Sequence, residues 1–87
     1  MTYGPTRKQI SAVANYIMEH PGHTYTEICK GTDVTYCTGK TILDNFLDEG
    51  HVERVLLFSS RTPRFFPTRT LRKVASTGEY THRKVYG

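Results

Sequence analysis

Apolar residues recur at Ile10, Val13, Ala14, Ile17 and Met18, at offsets of 3, 4, 7 and 8 from the first. That spacing is one stripe along an α-helix. Thr6 offers a hydroxyl to cap it, and Pro21-Gly22 stops it. The pattern predicts a first helix over Arg7 to His20. Thr24-Tyr25-Thr26-Glu27 has the capping-box form, so a short second helix is expected from Tyr25 to about Lys30, with Ile28 and Cys29 facing inward. Gly31 is expected to interrupt it, and Thr32-Asp33 to turn, with Val34 an isolated apolar residue there. Thr35 is the next N-cap candidate, ahead of a third helix whose buried stripe is Ile42, Leu43, Phe46 and Leu47 and whose stop is Gly50. Gly39 inside that helix costs about 1 kcal/mol relative to alanine, which predicts a close approach of the second helix.

Val52 to Phe58 reads as a strand, Ser59 to Pro63 as a turn and Arg64 to Thr68 as a second strand. Together they form a hairpin with a basic tip. Phe65 and Phe66 fall on opposite faces of a regular strand, one toward the core and one at its edge. Residues 69–74 are expected to form a short basic helix, and the last dozen a frayed tail. The fold class is therefore mainly α (α+β): three helices and a C-terminal hairpin over residues 1–70, with a basic C-terminal extension over 71–87. No internal repeat or low-complexity segment is present.

Charge sharpens this picture. The 87 residues carry a net charge of +4, unevenly placed. Residues 1–50 hold four Lys/Arg and six acids; residues 51–87 hold eight Lys/Arg and only Glu53 and Glu79. Between Arg54 and Lys73 there are six basic residues and no acid. Such concentration points to an anionic partner, most often nucleic acid. The apolar fraction of 37% suits one small core, which leaves little room for a deep substrate cleft. The longest strongly apolar run, Val55-Leu56-Leu57-Phe58, falls far short of a membrane helix. With no apolar leader behind Arg7 and Lys8, the expected location is the cytoplasm, with free thiols.

The stretch Thr24 to Val52 resembles the helix-turn-helix segment of winged-helix transcription regulators. Glu27, Ile28, Val34, Thr35, Leu43, Phe46, Gly50 and Val52 match in register without a gap, and with the first helix and hairpin the resemblance covers about residues 6 to 68. It departs at Gly39, where those families usually place a buried Val or Ile, and at Asp44, where Arg is more usual. The resemblance implies a winged helix-turn-helix fold that binds double-stranded DNA and regulates transcription, as a repressor or another regulator. The small size fits a phage, plasmid or other mobile-element protein. The third helix would enter the major groove with its N-terminal residues on base edges. Thr35, Tyr36, Thr38, Lys40, Thr41 and Asn45 are the candidates there. Arg61 and Arg64 on the wing, and Arg69, Arg72 and Lys73 beyond it, would follow the phosphate backbone. A homodimer through the first helix or the C-terminal segment, and binding as a monomer, both stay open.

A different class competes with this reading: a winged helix that docks a protein, with Asp44, Asp48 and Glu49 facing the partner. A weaker third reading is structured RNA, with Tyr36 or Phe66 stacking on bases. No constellation points to catalysis, so the protein is read as no enzyme. Gly39-Lys40-Thr41 imitates the end of a phosphate-binding loop, but position 34 is Val where that motif needs Gly. His20, His23, Cys29 and Cys37 lack the close cysteine pair of a zinc finger. Cys29 reads as a small buried residue and Cys37 as a thiol at a helix start. No metal or cofactor is expected.

Overall fold

The computed structural model describes residues 5–56 and 61–79. Seven elements follow one another: α1 (Arg7–Glu19), β1 (His23–Thr24), α2 (Tyr25–Thr32), α3 (Tyr36–Glu49), β2 (Val52–Leu56), β3 (Pro63–Pro67) and α4 (Leu71–Thr77).

Capping chemistry sets the helix starts. Thr6 accepts from the Gln9 backbone N–H, and the Gln9 side chain accepts from the Thr6 N–H in return. Thr24 and Glu27 make the same reciprocal pair at the start of α2. The bond from the Thr24 N–H chiefly holds the Glu27 carboxyl below its usual pKa. Thr35 caps α3 through the Thr38 N–H at 3.2 Å. Gly50 closes α3 in the left-handed conformation, φ 79°.

Two boundaries differ from the sequence reading of this region. α2 runs through Gly31 to Thr32 and ends at Asp33, a residue type that tolerates its observed φ of 59°. Gly31 lies within the helix, and a Cβ there would collide with the Tyr16 ring. Residues 23–24, read only as an approach to α2, also form a strand. β1 pairs antiparallel with β3, His23 opposite Phe65, and the Gly22 N–H donates to the Phe65 carbonyl at 2.9 Å. β3 is thus the middle strand of three, with β2 on its other side in register Val52 to Pro67 and Leu56 to Pro63. β3 begins at Pro63 and ends at Pro67, one residue earlier at each end than expected. The ends expected for the first strand, Leu57 and Phe58, lie outside the described residues.

The core gathers Ile10, Val13 and Ile17 of α1, Ile28 of α2, and Ile42, Leu43 and Phe46 of α3. Met18 and Leu47, read as buried, are only partly so and pack at the margin. Phe65 is buried while Phe66 is half exposed over Gly22, as strand alternation requires. α4 completes the core from the C-terminal side. Leu71, Val74 and Ala75 are buried, and Ser11 Oγ on α1 donates to the Ala75 carbonyl at 2.6 Å. Arg7 and Glu79 pair across the same junction. The helix expected over 69–74 therefore starts two residues later and runs to Thr77, into the stretch read as tail. Residues 80–87 lie outside the description.

Gly39 is buried against α2, as its cost inside a helix implied. A Cβ there would collide with Cys29 Sγ, while Val34 and Tyr25 would stand at ordinary contact, 3.5 and 3.8 Å. Gly39→Ala is expected to lose stability. The overpacking costs about 1–3 kcal/mol, against about 1 kcal/mol gained in helix propensity. Cys29→Ala removes the obstacle. In that background Gly39→Ala should be neutral or stabilising. Urea unfolding of the four variants in a double-mutant cycle measures the coupling; an additive result would show that the sulfur is not the obstacle.

Candidate nucleic-acid interface

α2 and α3 are joined by the turn at residues 33–35, and α3 presents one long side to solvent. Thr35, Tyr36, Cys37, Lys40, Thr41, Asp44 and Asp48 are exposed along it, and Thr38 and Asn45 are half-buried at its border. The first half of this side is neutral to basic, with hydroxyls and Lys40. The second half is acidic. Not every hydroxyl is free: the Thr35 hydroxyl donates to Thr38 Oγ1 at 2.9 Å, and the Thr41 hydroxyl donates back to the Cys37 carbonyl at 3.1 Å.

Tyr36 is the first residue of α3 and remains 62% exposed. Its ring rests against Tyr25, with centroids 4.7 Å apart, and the Tyr25 hydroxyl donates to the Tyr36 carbonyl at 3.1 Å. Tyr25 in turn meets the buried Phe65 edge-on at 6.2 Å. Desolvation chiefly raises the Tyr25 pKa far above the usual tyrosine value, with Cys29, Tyr36 and then Asp44 adding to it. Tyr25 thus stays a hydrogen-bond donor at any physiological pH. The sequence reading had no signal for this residue, because its ring partners lie 11 and 40 positions away.

The basic residues do not form one group. Arg61 is exposed at the start of the described wing residues. Arg64, expected beside it at the tip, lies in β3 opposite Thr24 and Val55. Its guanidinium donates to the Gly22 carbonyl at 2.8 Å, so much of this side chain is engaged in joining the sheet to the α1–β1 turn. Arg69 and Arg72 line a groove with Met18, Pro67 and Thr68, where α1, β3 and α4 meet. Lys73 is exposed on α4. The wing also exposes two apolar residues, Val55 and Leu56 of β2, on successive and so opposite-facing positions, Leu56 by 62%.

The two cysteines separate as read. Cys29 is buried and Cys37 exposed, and burial raises the Cys29 thiol pKa. A thiol reagent is therefore expected to modify Cys37 rapidly in the native protein and Cys29 only upon unfolding. Mass mapping after a timed pulse distinguishes the two; equal rates would contradict the packing of α2 on α3. His20 and His23 stack on each other with Tyr16 beside them, and the Tyr16 hydroxyl lies 3.1 Å from His23 Nδ1.

Sequence reasoning also missed His51. It is 2% exposed, with Nε2 2.8 Å from Glu49 Oε1 and Nδ1 2.7 Å from Thr70 Oγ1. It ties the end of α3 and the root of the wing to the start of α4. No local pattern announces it, since Thr70 is 19 residues away.

No protein-family model matches this sequence, and comparison with curated proteins gives no match. Solved structures do match. MepR, a transcription regulator of the Staphylococcus aureus multidrug efflux pump MepA, aligns with a TM-score of 0.68 and 20% identity over 78% of this chain and 51% of that one. The multiple antibiotic-resistance repressor MarR from Listeria monocytogenes aligns at 0.65 and 16% identity, over 80% and 47%. Streptococcus pneumoniae FabT, solved in complex with DNA, aligns at 0.64 and 26% identity, over 79% and 48%. The chain spans about half the length of each. The helix-turn-helix of α2 and α3, the wing of β2 and β3 and these likenesses together establish the fold as a winged helix-turn-helix domain.

Proposed function

We propose that this chain binds double-stranded DNA and acts as a transcription regulator in the cytoplasm. The observation that carries the reading is the exposed N-terminal half of α3, with Thr35, Tyr36, Lys40 and Thr41 unobstructed on a fold shared with a protein solved on DNA. In this reading the first turns of α3 enter the major groove. Thr38 and Asn45 flank the contact, and the free N–H groups at the helix start favour a phosphate. Arg61 on the wing, with Arg69, Arg72 and Lys73, follows the backbone of the duplex. Arg64 contributes mainly by holding the wing to the body. The domain acts by occupying its site, without chemistry of its own and without a cofactor.

A salt titration of binding to duplex DNA, read by fluorescence anisotropy, tests this. The logarithm of affinity is expected to fall steeply with the logarithm of salt concentration. Lys40→Ala and Arg61→Ala should each lower affinity and make the slope shallower by about 0.9 per lost phosphate contact. Arg64→Ala should instead lower the unfolding midpoint. A folded protein that binds no duplex near 50 mM salt would refute the reading. Sedimentation of the complex counts the copies per duplex; two on a palindromic site would support a homodimer.

A second reading has its own observation. Asp44 and Asp48 are exposed on the C-terminal half of α3, and Val55 and Leu56 on the wing. Exposed acids on α3 and exposed apolar residues on the wing suit a protein partner with a basic rim. If DNA binding fails while the protein is folded, a pull-down comparing wild type with Asp44→Lys/Asp48→Lys tests it.

A further inference from the structure

We propose that Tyr36, held in place by Tyr25, is the specificity-determining side chain of this interface and reads the 5-methyl group of a thymine in the major groove. The inference rests on the DNA reading above and names what one side chain would recognise. Tyr36 opens the recognition helix, where side chains reach base edges, and presents its ring to solvent. Beneath it stands a column running inward, from Tyr36 to Tyr25 at 4.7 Å and from Tyr25 to Phe65 at 6.2 Å. The hydrogen bond from the Tyr25 hydroxyl to the Tyr36 carbonyl fixes the column to the backbone. An aromatic ring supported in this way loses little freedom when it binds.

The thymine methyl is the one apolar group on a major-groove base edge, and apolar side chains read it by contact. A contact from the Tyr36 hydroxyl to a phosphate is the competing outcome, and Tyr36→Phe separates the two. Tyr25 is a positioning residue: it acts through Tyr36.

The test begins with duplexes selected from a random library by rounds of binding to the wild-type protein. Each thymine of the selected site is then replaced in turn by deoxyuridine, which deletes only the methyl. One thymine per bound copy is expected to show a loss of about fourfold, the size of one buried methyl. Tyr36→Phe should keep that discrimination. Tyr36→Ala, an exposed substitution, should bind more weakly and no longer distinguish uracil from thymine. Tyr25→Leu should shrink the discrimination with the salt slope unchanged, an outcome that mere loss of packing would not produce.

A uracil penalty that survives in Tyr36→Ala overturns the proposal. So does a Tyr36→Phe variant that loses affinity and salt slope together, because the contact would then be hydroxyl to phosphate. A protein that binds duplexes without sequence preference overturns it too, and leaves the DNA reading standing. Failure to bind any duplex overturns both.

Discussion

Leu71→Ala is expected to lower the free energy of unfolding by about 2–5 kcal/mol, the range for a buried leucine cut to alanine. Leu71 and Val74 are fully buried against the helices of the N-terminal part, and Ala75 nearly so. α1 also spends side-chain donors on this helix: Ser11 Oγ and Asn15 Nδ2 both reach the Ala75 carbonyl, at 2.6 and 3.4 Å. Those bonds satisfy a carbonyl that the helix end leaves without an internal partner. Domains of this size hold roughly 5–15 kcal/mol in total. A chain ended at Thr70 loses two large buried side chains, each contributing about 1.5–3 kcal/mol. It also loses the helix that covers α1. It should be largely unfolded at 37 °C. Urea denaturation followed by circular dichroism measures both variants. A truncated chain with an unchanged midpoint would show that α4 is an accessory, and that residues up to 70 form a complete domain.

His51→Ala should cost about 1–3 kcal/mol, because it leaves the buried Glu49 carboxyl without its hydrogen-bond partner. The Glu49 side chain is only 7% exposed and has His51 Nε2 2.8 Å away. On its other side His51 faces the Thr70 hydroxyl, and the Phe46 ring meets it edge-on at 6.0 Å. The surrounding bonds all cross the same junction. Thr68 donates its N–H to the His51 carbonyl at 2.9 Å and its hydroxyl to the Gly50 carbonyl at 2.7 Å. Removing the imidazole should therefore loosen the root of the wing and the start of α4 together. The expected signature is faster amide exchange at Val52 and Leu71 in the same variant. A double variant, His51→Ala/Glu49→Gln, should recover part of the loss by removing the unpaired carboxylate. A cost below about 1 kcal/mol, with no recovery, would mean that Glu49 reaches water once the ring is gone.

Both predictions concern residues that sequence patterning did not single out, and the reason is the same. Local signals are read where the physics is local. The stripe of α1, the caps at Thr6, Thr24 and Thr35 and the stop at Gly50 each depend on residues within a few positions of one another, so spacing alone exposes them. The close packing at Gly39 was legible as well, because glycine inside a helix has a cost that some contact must explain. Cys29 was read as small and buried for a related reason, its place on an apolar helix face. The wing hairpin followed from its turn residues, and the alternation of Phe65 and Phe66 from the strand repeat.

What the spacing did not show was decided by contacts far apart in the chain. β1 is two residues long, too short to display any alternation, and exists because β3 offers it an edge. α2 continues past Gly31, whose lack of a side chain makes room for the ring of Tyr16, fifteen residues earlier. α4 has one apolar turn among basic residues, which reads as a surface helix until α1 is set against it. Arg64 has the composition of a wing-tip cation, yet its guanidinium is turned to Gly22 by the pairing of β1 with β3. Tyr25 looks like an ordinary capping-box residue until Tyr36 and Phe65 are brought to its ring. The sequence by itself determined the order of helices and hairpin, and the basic character of the C-terminal half. Only the tertiary structure decided which charges stay free for a partner, which polar groups are buried, and which exposed ring has a rigid support, because each depends on neighbours that chain spacing does not specify.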